Sequence, residues 1–96
     1  MKYVLNHRVE NEIISLARKH ELEKVILFGS RARGTNHERS DIDLAVKGGD
    51  VTRFSLDVDD KVWTLLKFDV VDLGMEHSVG FLSEIEKDGV LLYEKV

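Results

Sequence analysis

Residues 24–29 read KVILFG, a short and almost wholly apolar run closed by a glycine. An isolated amphipathic element would interrupt such a run with polar residues, and none interrupts this one. It is the pattern of a strand buried on both faces, as in sheets covered by helices. The chain has 96 residues, room for one domain with three or four strands and as many helices. A layered α/β arrangement satisfies both constraints.

The flanking segments fit that arrangement. Val9, Ile13, Leu16 and Ala17 recur at helical spacing and predict an amphipathic helix over about residues 7–20. Residues 40–47, SDIDLAVK, alternate: Ile42, Leu44 and Val46 share one face, and Asp41, Asp43 and Ala45 share the other. GGD at 48–50 marks a turn. Phe54, Val58, Val62, Leu65 and Leu66 predict a second helix over about 52–66, with Arg53–Asp57 and Asp57–Lys61 pairs on its exposed side. FDVVDL at 68–73 is a further strand. Ser78 is placed to cap a helix running through Lys87, with Phe81, Leu82 and Ile85 inward and Gly89 as its stop. VLLYEK at 90–95 supplies a last strand. The expected fold is α/β (α+β): a small mixed sheet of about four strands with helices mainly on one face, forming a single domain over 1–96. The pattern leaves the strand order open.

Net charge is −4, which argues against general nucleic-acid binding through a basic surface. Arg31, Arg33 and Arg39 are nevertheless clustered, opposed locally only by Glu38. Cysteine is absent, so disulfides and thiolate metal sites are excluded. No apolar run suggests a signal peptide or reaches membrane-spanning length, and a cytoplasmic location is expected.

The chemistry concentrates in residues 28–46. A glycine that ends a buried strand allows close approach to the backbone, and the residues after it can begin a helix with free N–H groups, a phosphate-binding arrangement. Ser30 adds a hydroxyl donor, and Arg31 or Arg33 can add charge. Gly-Ser also occurs in ordinary turns, so the dipeptide alone decides nothing. Asp41 and Asp43 on one strand face put like charges about 7 Å apart, which at an effective dielectric near 20 costs roughly 2 kcal/mol. An exposed edge strand tolerates that cost. A divalent cation shared with substrate phosphates turns it to use. A third carboxylate can come from Asp69 or Asp72, which face opposite sides of their strand; alternation does not choose between them. The twelve-residue EF-hand loop is missing.

Gly29-Ser30, ten intervening residues and Asp41-Ile42-Asp43, followed by Phe68-Asp69-Val70-Val71, together resemble the signature of the DNA polymerase β nucleotidyltransferase superfamily. The final helix and GVLLYEK are similar to the ends of its smallest members, the minimal nucleotidyltransferases. The resemblance covers about residues 9–95 and implies a palm-like fold. It implies that Gly29, Ser30, Arg31 and Arg33 bind the nucleotide triphosphate, ATP or another NTP. It implies that Asp41 and Asp43 hold two Mg²⁺ ions, and that Asp69, with Asp72 the second choice, holds the catalytic ion and helps deprotonate the acceptor. It further implies a small helical partner of the HEPN type in a toxin–antitoxin pair, with AMP added to a tyrosine of that partner.

Two other outcomes fit the same residues: nucleotidyl transfer to a small-molecule hydroxyl, and a non-catalytic module that binds nucleotide or partner. The second has no need of all three carboxylates. Trp63 reads as packing or a partner contact rather than a base-stacking platform. His7, His20, His37 and His77 lack ligand spacing, and Tyr3 and Tyr93 read as core or edge residues.

Overall fold

The computed structural model describes residues 3–96. Its elements are α1 (His7–Lys19), β1 (Lys24–Phe28), α2 (Gly29–Arg33), β2 (Ile42–Lys47), α3 (Val51–Lys61), β3 (Phe68–Asp72), α4 (Val79–Asp88) and β4 (Val90–Glu94). The four strands form one sheet in the order β3-β2-β1-β4. β1 pairs antiparallel with β2 and β4, and β2 pairs parallel with β3, so the sheet is mixed, as expected. The apolar run at 25–28 lies in a central strand covered on both faces, Val25 and Leu27 on one and Phe28 on the other, which accounts for its lack of polar residues.

Strand alternation divides the interior in two. Val25, Leu27, Ile42, Leu44 and Val46 point to one face, where Val9, Ile13 and Ala17 of α1 and Phe54 and Val58 of α3 close over them. Phe28 and Ala45 point to the other, where Ile85 and Phe81 of α4 cover them. Two of the three longer helices therefore share a face. Burial of each large side chain contributes about 1.5–3 kcal/mol, and Ile13, Leu27, Leu44, Phe54 and Val58 are all fully enclosed.

Local signals set most of the boundaries. Asn6 Oδ1 accepts the N–H groups of Arg8 and Val9 at 2.9 and 3.2 Å and starts α1. Asp50, in the turn after Gly48 and Gly49, accepts from Arg53 N at 3.1 Å and caps α3. Ser78 accepts from Phe81 N at 3.1 Å and caps α4, as the sequence predicts.

α3 departs from expectation by stopping at Lys61 rather than 66. Val62 turns to extended backbone (φ −75°, ψ 129°) and buries its side chain. Thr64 N donates to Val62 O at 2.9 Å, and Thr64 Oγ1 accepts from Leu66 N at 3.1 Å. This local bonding competes with a continuing helix. Leu65, expected inward, is fully exposed, and Trp63 is 76% exposed. The early stop frees the chain to return and lay β3 parallel to β2. On α3, Asp57 pairs with Lys61 at 3.6 Å as expected, but Arg53 turns to Asp50 at 3.6 Å. The Asp57 carboxylate instead meets His20 Nε2 at 2.6 Å and Lys19 Nζ at 3.8 Å, tying α3 to the end of α1.

Candidate active site

The sheet register gathers the acids. Asp43 stands opposite Phe28 on β1 and opposite Asp69 on β3, so Asp69, Asp43 and Phe28 form a row across three strands on the α4 face. Asp41 lies one residue ahead of β2 and two ahead of Asp43, exposed at the end of the sheet where α2 begins. Asp72 sits across from Val46 on the opposite face, and its Oδ1 accepts Gly74 N at 2.8 Å to close a turn. Register thus separates two aspartates that alternation alone left equivalent.

Gly29 fixes how closely α2 approaches Asp43. Its φ is +75°, and a Cβ there would overlap the Asp43 carboxylate. Both the backbone conformation and the space therefore require glycine. Phe28 ahead of it is extended, and no side chain caps the first turn of α2. Gly34 (φ 76°) ends α2 in the left-handed conformation.

Asp43 is held above the usual carboxylate range, first by burial, then by the charges of Asp69 and Asp41, with Arg33 and Arg31 acting in opposition. Each acid of the trio is thus close enough to oppose ionisation of the central one, and the excess local charge is negative. Among the described residues, no three histidine, aspartate or glutamate side chains already converge as a closed metal cage. Mg²⁺ does not need one, since it is usually held by one or two carboxylates together with substrate phosphates and water. Hard oxygen donors crowded against their own repulsion are a donor set that fits such an ion.

The two arginines part company. Arg33 is half-exposed and pairs with Glu84 of α4 at 3.2 Å, a surface contact that adds little to stability. Arg31, expected to bind nucleotide, is buried, and its guanidinium donates to the carbonyls of Ser40, Glu38 and Val4. It is a strut inside the fold, and its reach is spent on backbone. Glu84 carries no sequence signal, because its partner is 51 positions away. The wall formed by Phe81 against Phe28, edge to face at 5.4 Å, is likewise invisible without the register. His37 lies exposed in the loop, without a metal or acid partner among the described residues.

A cleft of about 800 Å³ lies elsewhere, between α1 and the end of α3, lined by Asn6, Arg8, Asn11, Glu12 and Lys61 among others. It contains none of the three acids. The row over Gly29 is the more informative feature, because chemistry follows from the donor set and not from volume.

The family described as Polymerase beta, Nucleotidyltransferase matches residues 11–96. The chain belongs to the polymerase β nucleotidyltransferase family. Members of that family are typically metal-dependent. The chain is 49% identical over 43 residues to the protein adenylyltransferase MntA of Shewanella oneidensis, a match covering 43% of this chain and 31% of that relative. Among solved structures it is similar to a toxin–antitoxin with AMP-PNP, at 32% identity and a TM-score of 0.70, covering 90% of this chain and 73% of the other. A mutant of the toxin–antitoxin MntA-HpeT is similar at 30% identity and a TM-score of 0.72, covering 96% and 75%. The polymerase β nucleotidyltransferase fold expected from the sequence is therefore present, with its four-stranded mixed sheet. No helix among the described residues is long and apolar enough to cross a membrane.

Proposed function

We propose that this chain is a protein adenylyltransferase that moves AMP from ATP to a tyrosine hydroxyl on a small helical HEPN-type partner, the two forming a toxin–antitoxin pair. The observation that carries the reading is the alignment of Asp43 with Asp69, beside exposed Asp41 and against Gly29, in a chain so similar to a toxin–antitoxin with AMP-PNP. The similarity to a relative named as a protein adenylyltransferase supports the acceptor class.

In this reading the amides at the start of α2 and the Ser30 hydroxyl bind the triphosphate, and Arg33 leaves Glu84 to join them. Asp41 and Asp43 hold two Mg²⁺ ions, and Asp69 holds one of them. Bound Mg²⁺ supplies positive charge that stabilises the attacking and leaving oxygens of an in-line displacement. The tyrosine oxygen forms a bond to the α-phosphorus as the bond to the bridging oxygen of pyrophosphate breaks. Asp69 accepts the hydroxyl proton, and pyrophosphate departs with the bond's electron pair. The α4 wall of Phe28 and Phe81 limits water on one side of the row.

The test is co-expression with the product of the adjacent gene, followed by intact-mass measurement. One or more adenylyl additions on a partner tyrosine are expected, and none when Asp41→Asn or Asp69→Asn replaces wild type. A partner that copurifies unmodified under these conditions would make the chain a binding module. Transfer to small alcohols by the chain alone would place the acceptor in the small-molecule class.

A further inference from the structure

Arg31 is 6% exposed and is the single charged residue in the buried set of described residues. It forms no ion pair among them. Burying a guanidinium without a carboxylate costs several kcal/mol unless its donors are satisfied, and an apolar residue would fill the same space without that cost. The donors must therefore accomplish something an apolar side chain cannot.

Their targets identify it. Nε donates to Ser40 O at 3.0 Å and Nη2 to Glu38 O at 3.2 Å, two carbonyls on the approach to Asp41. Nη1 reaches Val4 O at 3.5 Å, and Val4 N donates to Arg31 O at 2.8 Å. Residues 35–41 between α2 and β2 contain no helix or strand. Within them the loop holds itself by His37 N to Ser40 Oγ at 2.8 Å and Ser40 N to His37 O at 3.1 Å. Those two bonds shape the loop but do not attach it to the body of the protein. The first attachment on the far side of Asp41 is Ile42 N to Lys67 O at 2.8 Å. Asp41 is thus set between a strand bond after it and the Arg31 fork before it.

We propose that Arg31 is the positioning residue for Asp41: its fork fixes the Glu38 and Ser40 carbonyls, and so holds the Asp41 carboxylate where it joins Asp43 in taking Mg²⁺. The proposal rests on the reading of the acids as Mg²⁺ ligands. It assigns Arg31 no contact with nucleotide. A lysine keeps the charge but cannot span two carbonyls in a fixed plane, so Arg31→Lys isolates geometry from charge.

The experiment compares wild type and Arg31→Lys in ATP binding by calorimetry, with and without Mg²⁺, and in amide exchange of Ser40 and Ile42. In the variant, ATP binding without metal stays unchanged and the Mg²⁺-dependent gain falls about tenfold or more, as for loss of an outer support to a metal ligand. Exchange at Ser40 and Ile42 becomes faster. A variant that keeps the full Mg²⁺-dependent gain, or whose exchange at both amides is unchanged, overturns the proposal. Equal loss of affinity with and without metal also overturns it, because Arg31 then contacts phosphate. Absence of any Mg²⁺-dependent gain in wild type would instead refute the adenylyl-transfer reading and the metal half of this proposal, while the exchange rates still judge the strut. Should Arg31→Lys fail to fold, the Arg31 Nε–H resonance of wild type decides. It should be protected from exchange and unmoved by ATP without metal; a solvent-exchanging resonance, or one shifted by ATP alone, overturns the assignment.

Discussion

Replacing Asp43 with asparagine should make the metal-free protein more stable while removing its function. Asn has nearly the shape of Asp, so the close contact with Gly29 survives and no cavity opens. What disappears is a charge held in an unfavourable place. Coulomb's law at ~7 Å, with an effective dielectric of about 40 for a partly solvated site, gives roughly 1 kcal/mol of repulsion per carboxylate pair. Burial of the charge acts first in the same direction, Asp69 and Asp41 each add such a repulsion, and Arg33 and Arg31 offset part of it. Net stabilisation of about 1 kcal/mol remains, which for a domain of this size raises Tm by about 4–8 °C.

The sign of the pH dependence follows from the raised pKa of Asp43. Native protein binds more protons than unfolded protein between the ordinary value of 3.8 and the raised one, so wild-type stability falls as pH rises through that window. The advantage of Asp43→Asn is therefore full near neutral pH and vanishes below the ordinary value. Scanning calorimetry in EDTA, near pH 7 and near pH 3, reads both quantities. Adding Mg²⁺ and ATP should reverse the order, because a ligand at about 100 times its Kd stabilises only the form that binds it, by roughly 2.7 kcal/mol. If Asp43→Asn melts at or below wild type in EDTA near neutral pH, the carboxylates are not repelling one another and the reasoning fails.

Gly29→Ala should lose about 1–2 kcal/mol from the left-handed backbone and push Asp43 aside, so that the Mg²⁺-dependent gain in ATP affinity falls more than stability does; calorimetry on the folded variant reads this. Ser30→Ala removes one hydrogen bond to a charged acceptor, worth roughly 1.5–3 kcal/mol, and ATP affinity should drop on the order of tenfold or more in a titration. Asp69→Asn should abolish adenylyl transfer measured by intact mass, whereas Asp72→Asn, which alters only the turn at Gly74, should keep most of it. The Asp57 carboxylate is held below its ordinary range, chiefly by the His20 hydrogen bond. Its contribution to stability is therefore present above the ordinary value and lost as pH falls through the lowered one, so the Tm difference between wild type and Asp57→Asn should shrink in acid.

Local patterns carried the elements and much of the site. The alternation of residues 42–46 and the helical spacing of Val9, Ile13 and Ala17 reflect burial, which leaves its period in the sequence. Gly29 and the Asp41/Asp43 pair were legible because backbone conformation and like-charge placement are both local. The choice between Asp69 and Asp72 was not legible from period alone. It depends on the parallel register of two strands joined through α3, which no local pattern encodes. The burial of Arg31 was not legible for a related reason. Its charge beside Gly29-Ser30 suggested phosphate, but the carbonyls that take its donors are set by how residues 35–41 fold back. The end of α3 was overrun because Leu65 and Leu66 keep a helical period that Thr64 interrupts with its own hydroxyl.

The parallel pairing of β2 with β3 also sets when the row of acids can be completed. Antiparallel neighbours such as β1 and β2 can meet across the intervening α2 and loop as soon as both have left the ribosome. β3 must wait until α3 has been made and has packed across the sheet, because a parallel strand needs a crossover to reach its place. Asp43 and Asp69 therefore come together only after the chain has been made through β3 and folded over. An incomplete nascent chain can carry Gly29 and two of the acids, yet lack Asp69 beside them.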